Sequence, residues 1–256
     1  MQVNKIALVF LGLISSLSVT ANNYPDINRQ NIEIIRDSFG VAHIYAKTDA
    51  EAAFGLAWAN AEDAFHLMQE PMLLAKGMMG RVHGPEGAAA DFFAHAIGAR
   101  DFVELNFEKQ TSEEFREYLN GFVQGVNAYA DAHPKEWLHK KLFPITSKDV
   151  MTAFVVSSSF LSGAGDPFES IYNGEYDGRE VEKTKGSNAF AFAPHKTEDG
   201  LTYLTINPHF AMEGQFTFYE AHIASEEGLN FSGVGFQGLS SLAMGRSEEH
   251  TSELQS

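Results

Sequence analysis

The sequence contains no cysteine in 256 residues, which excludes disulfides, thiolate-held metal centres and a cysteine nucleophile. Basic residues are scarce. Against 34 Asp and Glu stand 18 Lys and Arg, a formal net charge of −16 that argues against nucleic acid or an anionic membrane surface as partner. Ile6 to Leu17 form an apolar run too short for the roughly 20 residues of a spanning helix. No G-x-S-x-G elbow and no H-E-x-x-H pair occurs, so neither an α/β-hydrolase nor a zincin has support. There is no internal repeat.

What is present suits one or two domains with an ample core: 44% of residues are hydrophobic and 21 are Phe. Residues 1–21 read as a secretory signal peptide. Lys5 supplies the positive n-region, the apolar run follows, and Val19-Thr20-Ala21 is a small-residue cleavage site, so the mature chain starts near Asn22 in a periplasm or outside the cell. At the other end, residues 246–256 (Arg246 to Ser256) have no apolar period and match the translation of a sequencing-library adapter. They are read as a non-native tail, and the natural protein is expected to continue past Gly245.

The pattern between those ends is helical first and strand-rich later, which predicts an α+β fold. Residues 31–36 and 41–46 read as two strands joined by the turn Asp37-Ser38-Phe39-Gly40. Thr48-Asp49-Ala50-Glu51 is a capping box opening a long helix, with Phe54, Trp58, Ala61, Phe65 and Met68 at helical spacing. Pro71 is expected to bend or restart it, and Gly80, Gly84, Pro85 and Gly87 to mark a loop. Thr111-Ser112-Glu113-Glu114 reads as a second capping box, before a stripe of Phe115, Leu119, Phe122, Val126 and Tyr129. Ser147-Lys148-Asp149 starts a third helix, carrying Phe154, Val155, Ser158 and Leu161. Residues 164–186 are acidic and rich in Gly and Asp, a surface linker. Strands are then expected at 188–193, 201–206, 216–224 and 229–235.

One junction carries chemistry. Gly186-Ser187 lies where the charged run 177–184 gives way to the strand Asn188 to Ala193. Gly186 has no Cβ, so its carbonyl can be approached closely. If the Gly186–Ser187 bond were cut, Ser187 would carry a hydroxyl and a free α-amine. That amine titrates near pH 8 and can act as general base to the hydroxyl, so one residue supplies nucleophile and base. Taken alone, the pair is an ordinary turn. Other motifs carry less. Gly233-Val234-Gly235-Phe236-Gln237-Gly238 fits G-x-G-x-x-G, but no βαβ unit precedes it, and it reads as a glycine-rich turn between strands. His43, His195 and His222 have no ligand spacing and read as half-buried strand residues. His209 lies at a strand end, where a polar side chain can face a pocket. Asn230-Phe231-Ser232 is a sequon of a kind common by chance.

Three segments in order carry a resemblance: Ile35 to Ala46, then Gly186-Ser187-Asn188-Ala189, then Asn207-Pro208-His209-Phe210. The set resembles the penicillin acylase family of N-terminal-nucleophile hydrolases, most closely the branch of acyl-homoserine-lactone, aculeacin and cephalosporin acylases. The resemblance covers nearly all of residues 31–245. It implies a four-layer αββα sandwich, incomplete here, made as one precursor that cuts itself. Residues 22–163 would be a helical α chain, 164–186 a spacer peptide, and 187–245 the start of a β chain paired with the α chain as a heterodimer. Ser187 matches the nucleophile, Gly186 the residue before the cut, and His209 a position that supports the nucleophile and substrate. The helix near Phe154 to Leu161 would line the acyl pocket. The implied activity is hydrolysis of a non-peptide amide in a small N-acyl compound, an acyl-homoserine lactone or β-lactam antibiotic type. No redox cofactor is needed. A structural calcium is compatible with the resemblance, with no ligands assigned. Gly233 to Gly245 resembles the stretch before the first oxyanion amide, and the oxyanion donors themselves are missing, so the chain as written is expected to be inactive. The reading from another class is a secreted binding domain without catalysis, or a fragment without function.

Overall fold

A computed structural model describes residues 24–172, 174–175, 186–210, 212–214 and 216–247. The expected signal peptide, most of the second half of the expected spacer, and residues 248–256 lie outside the described residues. The α+β reading holds, with helices filling the N-terminal half and strands the C-terminal part.

The first hairpin pairs β1 (Glu33–Arg36) with β2 (Ala42–Ala46) around the expected turn. Asp37 builds that turn: its Oδ1 accepts from the Phe39 and Val41 amides at 2.8 and 3.0 Å, and Gly40 takes φ 86°. Arg36 ties the hairpin to the helix that follows, reaching Asp63 at 2.8 Å, Glu62 at 3.2 Å and the Ala59 carbonyl.

Helix α1 (Asp49–Ala75) opens with the predicted capping box of Thr48 and Glu51. Its one break is at Ala64 (φ −153°, ψ 46°), not at Pro71. The helix stops at Ala75 through Gly77 (φ 61°), with Met78 N bonded to the Leu73 carbonyl. The expected loop at 80–87 is instead two helices, α2 (Met79–His83) and α3 (Pro85–Ala96), separated only by Gly84. Their glycines serve a close crossing: a Cβ on Gly87 would lie 2.4 Å from the Met79 carbonyl oxygen. Asp91 of α3 caps α2 through the Met79 and Gly80 amides.

Helix α4 (Ala99–Gln110) was not foreseen. Helix α5 (Glu113–Ala132) starts at Ser112, which caps the Phe115 amide. The third helical position is Phe115, so the reciprocal half of the expected box is missing. Helix α6 (Ser147–Leu161) has a full box from Thr146 and Asp149. Its buried side is Val150, Ala153, Val156 and Ser157, while Phe154 and Leu161 are exposed. The expected spacer begins with a helix, α7 (Gly165–Tyr172), whose Phe168 ring meets Phe93 edge-on at 5.0 Å.

Strands β5 (Phe218–Ser225), β6 (Asn230–Phe236) and β7 (Met244–Ser247) complete a five-stranded sheet in the order β1-β2-β5-β6-β7. Every pairing is antiparallel except β2 with β5. Strand β7 runs two residues into the segment expected to be a non-native tail. Helix α1 covers one face of the sheet, packing Leu56 and Ala59 on Ala42, Ile44, Tyr219, Ala221 and Ile223. Its other side packs on α5 and α6 around Phe65, Met68, Leu119 and Phe122. A separate two-stranded sheet pairs β3 (Ser187–Phe192) with β4 (Tyr203–Pro208). Thus two sheets and one helical layer form among the described residues.

The α1–α5 contact has no spare room. A Cβ on Gly121 would lie 2.0 Å from the Ala50 carbonyl oxygen, and one on Gly125 2.6 Å from that of Phe54. Both obstacles are backbone, which cannot step aside as a flexible side chain can. Gly121→Ala is therefore expected to force the helices apart and destabilise by about 1–3 kcal/mol or more. An unchanged melting temperature would contradict this close approach.

Candidate active site

The two site residues expected from the sequence lie at the same end of the β3–β4 hairpin. Ser187 opens β3 and its Cα pairs with that of Pro208, the last residue of β4. A proline suits this end position, because it has no N–H to give to the ladder. His209 follows directly. Gly186, the residue before the expected cut, has open space where a Cβ would be.

The pleat sorts the side chains here. Ser187 and Asn188 point to opposite faces, and Asn188 shares its face with its partner Asn207. Both amides turn to the histidine: Asn188 Nδ2 lies 3.2 Å and Asn207 Nδ2 3.3 Å from His209 Nε2. Two donors on one ring nitrogen make it an acceptor, so the proton of the neutral ring sits on Nδ1. His209 is thus held by the hairpin through its asparagines. That arrangement suits positioning, and a serine whose own amine is the base does not require an imidazole on its hydroxyl.

The next residue leads into a cluster of aromatic rings. The Phe210 ring stands edge-on to Phe218 and Phe236 at 5.4 and 5.5 Å, and Phe216 meets Phe236 in the same way at 6.0 Å. Phe216 and Phe236 line a small, half-open crevice with Pro71, Ser157, Gln237 and Leu239. Ser157 is the contribution of α6, the helix expected to line an acyl pocket. Phe160 of that helix turns away, against Phe93 at 4.3 Å.

The glycine-rich run beside the cleft is not a dinucleotide loop. Gly233 and Gly235 lie within β6, and no helix follows among the described residues. A Cβ on Gly233 would lie 2.2 Å from the Met244 carbonyl oxygen, so glycine is needed for the approach of β7. Gly238 (φ 74°) turns the chain under α1, where its amide donates to Asn60 Oδ1 and Tyr118 donates to the Ser240 carbonyl. Buried Asn60 also donates to Gln237 Oε1.

Sequence reasoning missed one cluster. His43 and His222 are Cα partners in the parallel β2–β5 pair, with their Nδ1 atoms 3.2 Å apart. Each is half-buried in a strand as expected, but their contact spans 179 residues of chain and leaves no local signal. His195 departs from expectation: it is exposed, in the short turn Pro194–Lys196. Among the described residues no group of three or more His, Asp or Glu is arranged to hold a metal ion, so no calcium ligands emerge. No helix among them is long and apolar enough to cross a membrane.

A model of the penicillin amidase family matches residues 31–251. The acyl-homoserine lactone acylase PvdQ of Pseudomonas fluorescens is 24% identical over 268 residues, an alignment covering 93% of this chain and 34% of that protein. The penicillin acylase 2 proenzyme of a Pseudomonas species is 29% identical over 117 residues, covering 46% of this chain and 14% of that protein. Among solved structures, a thermostable penicillin G acylase from Alcaligenes faecalis aligns with a TM-score of 0.42 at 19% identity, covering 62% of this chain and 98% of that one. The chain spans about a third of the length of the curated relatives it matches.

The hydrogen bonds to His209 make a spectroscopic prediction. Long-range proton–nitrogen NMR should show neutral His209 as the Nδ1–H tautomer. Replacing both amides by carboxylates (Asn188→Asp with Asn207→Asp) should move the proton to Nε2, since a carboxylate only accepts. A wild-type ring already protonated at Nε2 would show that the asparagines do not hold it.

Proposed function

The chain belongs to the penicillin amidase family, and we propose that it carries the nucleophile of an amidohydrolase acting on a small N-acyl compound. The bond broken is a non-peptide C–N amide, in a substrate of the acyl-homoserine-lactone or β-lactam kind that the relatives' names describe. Ser187 is the nucleophile and becomes the first residue of a β chain when the Gly186–Ser187 bond is cut. The observation that carries this reading is the hairpin register, which sets Ser187 opposite Pro208, one residue from His209.

In the proposed reaction Ser187 Oγ attacks the amide carbonyl. Its proton passes through a water to the Ser187 α-amine, whose ordinary pKa near 8 suits that task. The C–N bond breaks, the amine leaves with the proton, and an acyl-serine ester remains. Water then adds to the ester and releases the acid, which restores the hydroxyl. His209, held by Asn188 and Asn207, positions the nucleophile and substrate. The acyl group would lie against the aromatic rings beyond Phe210, beside Ser157 of α6.

Under the same reading residues 22–163 form the α chain, 164–186 the spacer, and 187–245 the start of the β chain. The chains remain associated as a heterodimer. The leader at 1–21 directs the precursor to the periplasm or out of the cell.

Two variants test the proposal in the full-length protein. Ser187→Ala should remain one uncut chain by mass spectrometry and should not turn over an N-acyl amide; normal cleavage of that variant would remove Ser187 from maturation. His209→Ala should be cut and fold normally, yet lose roughly 10²-fold in kcat/KM through misplacement of the reacting groups. Unchanged kcat/KM would take His209 out of the site.

A further inference from the structure

We infer that His43 and His222 form a two-ligand site for a divalent transition-metal ion of the zinc class, bound through both Nδ1 atoms. The site lies on the face of the five-stranded sheet turned away from α1. Alternation along β2 and β5 sends Ala42, Ile44, Ala221 and Ile223 into the core beneath α1 and His43 and His222 to the other side. The His43 side chain keeps 31% of its surface open to solvent, so an ion can enter.

The outer nitrogens define the site. His222 Nε2 lies 2.9 Å from Asn230 Oδ1, and His43 Nε2 lies 3.6 Å from Asp37 Oδ2. Both partners are oxygen acceptors, which favours a proton on each Nε2, through a hydrogen bond at His222 and through charge at the longer Asp37 distance. The carboxylate is itself pinned: Asp37 Oδ1 accepts from the Phe39 and Val41 amides at 2.8 and 3.0 Å. With both rings protonated at Nε2, both Nδ1 atoms present lone pairs. These face each other at 3.2 Å.

Two facing lone pairs at that distance repel unless something positive lies between them. A proton can fill the gap, and so can a metal. Tetrahedral zinc bound to two imidazole nitrogens at about 2.0–2.1 Å holds them about 3.3 Å apart, close to the separation here. The outer shell has the form metal-binding histidines commonly show, in which the distal N–H donates to a carboxylate or amide oxygen and fixes the tautomer. Tyr45 stands edge-on to His222 at 5.6 Å and walls one side. Two imidazoles select zinc, copper or nickel over calcium and magnesium, which prefer oxygen. Water completes the coordination. The ion would clamp the β1–β2 hairpin to β5, which makes it a fastening between distant segments and independent of the catalytic reading.

The experiment is a Co²⁺ titration of the full chain after dialysis against EDTA. The expected result is visible absorption saturating at one ion per chain, displaced by Zn²⁺ and not by Ca²⁺. Proton NMR should show two exchangeable hyperfine-shifted N–H signals, one from each Nε2. His43→Asn and His222→Asn should each abolish both signals. Zn²⁺ at a hundred-fold excess over its Kd should raise the melting temperature by roughly 5 °C or more. The two N–H signals of the unaltered chain decide the matter even if a variant fails to fold. No saturable Co²⁺ binding, a single shifted N–H, or binding that survives in both variants would overturn the site.

Discussion

The parallel pairing of β2 with β5 is the contact on which the rest of the structure depends. It joins Ala42–Ala46 to Ala221–Ser225, segments nearly 180 residues apart, and is the one parallel pair in the five-stranded sheet. Without it the first hairpin and α1 would have no sheet to cover. Closing so long a connection is entropically costly, and the return comes only when α1 buries the joined face. That face is filled by Ile44, Ala221, Ile223 and Leu56, and a Cβ on Gly55 of α1 would strike the Ile44 side chain at 2.5 Å. Polar contacts fasten the same seam. Asp63 accepts from Arg36 of β1 and from the Tyr219 hydroxyl of β5, while burial and that carboxylate hold the Tyr219 hydroxyl well above its ordinary pKa.

This pairing bears on the proposed maturation. A cut before Ser187 would leave β1, β2 and the helices on one chain and β5 to β7 on the other. The two chains would then share a sheet, a core and the Asp63 contacts. The hairpin bearing Ser187 stands apart. Its strands share no ladder with the larger sheet, and Phe190, Phe192, Tyr203 and Leu204 are about half exposed. It is joined to the five-stranded sheet side mainly through rings, from Phe210 to Phe218 and Phe236. The proposed nucleophile therefore rides on the least buried element among the described residues, and the cleft rests on the better packed ends of α1, α6 and β6.

Where a single residue carries a strong local preference, the sequence was legible. Thr48 caps α1 through the acid three positions on, because that exchange satisfies backbone groups with neighbours in the chain; Thr146 does the same for α6, one residue before the start read at Ser147. Asp37 and Gly40 make the predicted turn for the same reason. Glycine misled at 80–87 and at 233–238, because its local meaning is flexibility while its role there is to admit another backbone 2.2–2.4 Å from where a Cβ would sit. Pro71 was expected to break α1, yet the break falls at Ala64, a residue with no intrinsic reason to be non-helical.

The sequence by itself determined that helices come first and strands later, the cap at Thr48 and the turn at Asp37, and the place of Gly186-Ser187 at the start of a strand with Asn207-Pro208-His209-Phe210 at the end of another. Each of these follows from interactions a few residues long, or from motif chemistry written in consecutive residues. Only the tertiary structure decided that Asn188 and Asn207 converge on one nitrogen of His209, that Phe216 and Phe236 meet Ser157 across a cleft, and that His43 faces His222. Those contacts depend on strand register and on which helix covers which face. Register is set by the fit of whole buried surfaces, and a slip of one residue would send every side chain to the other side.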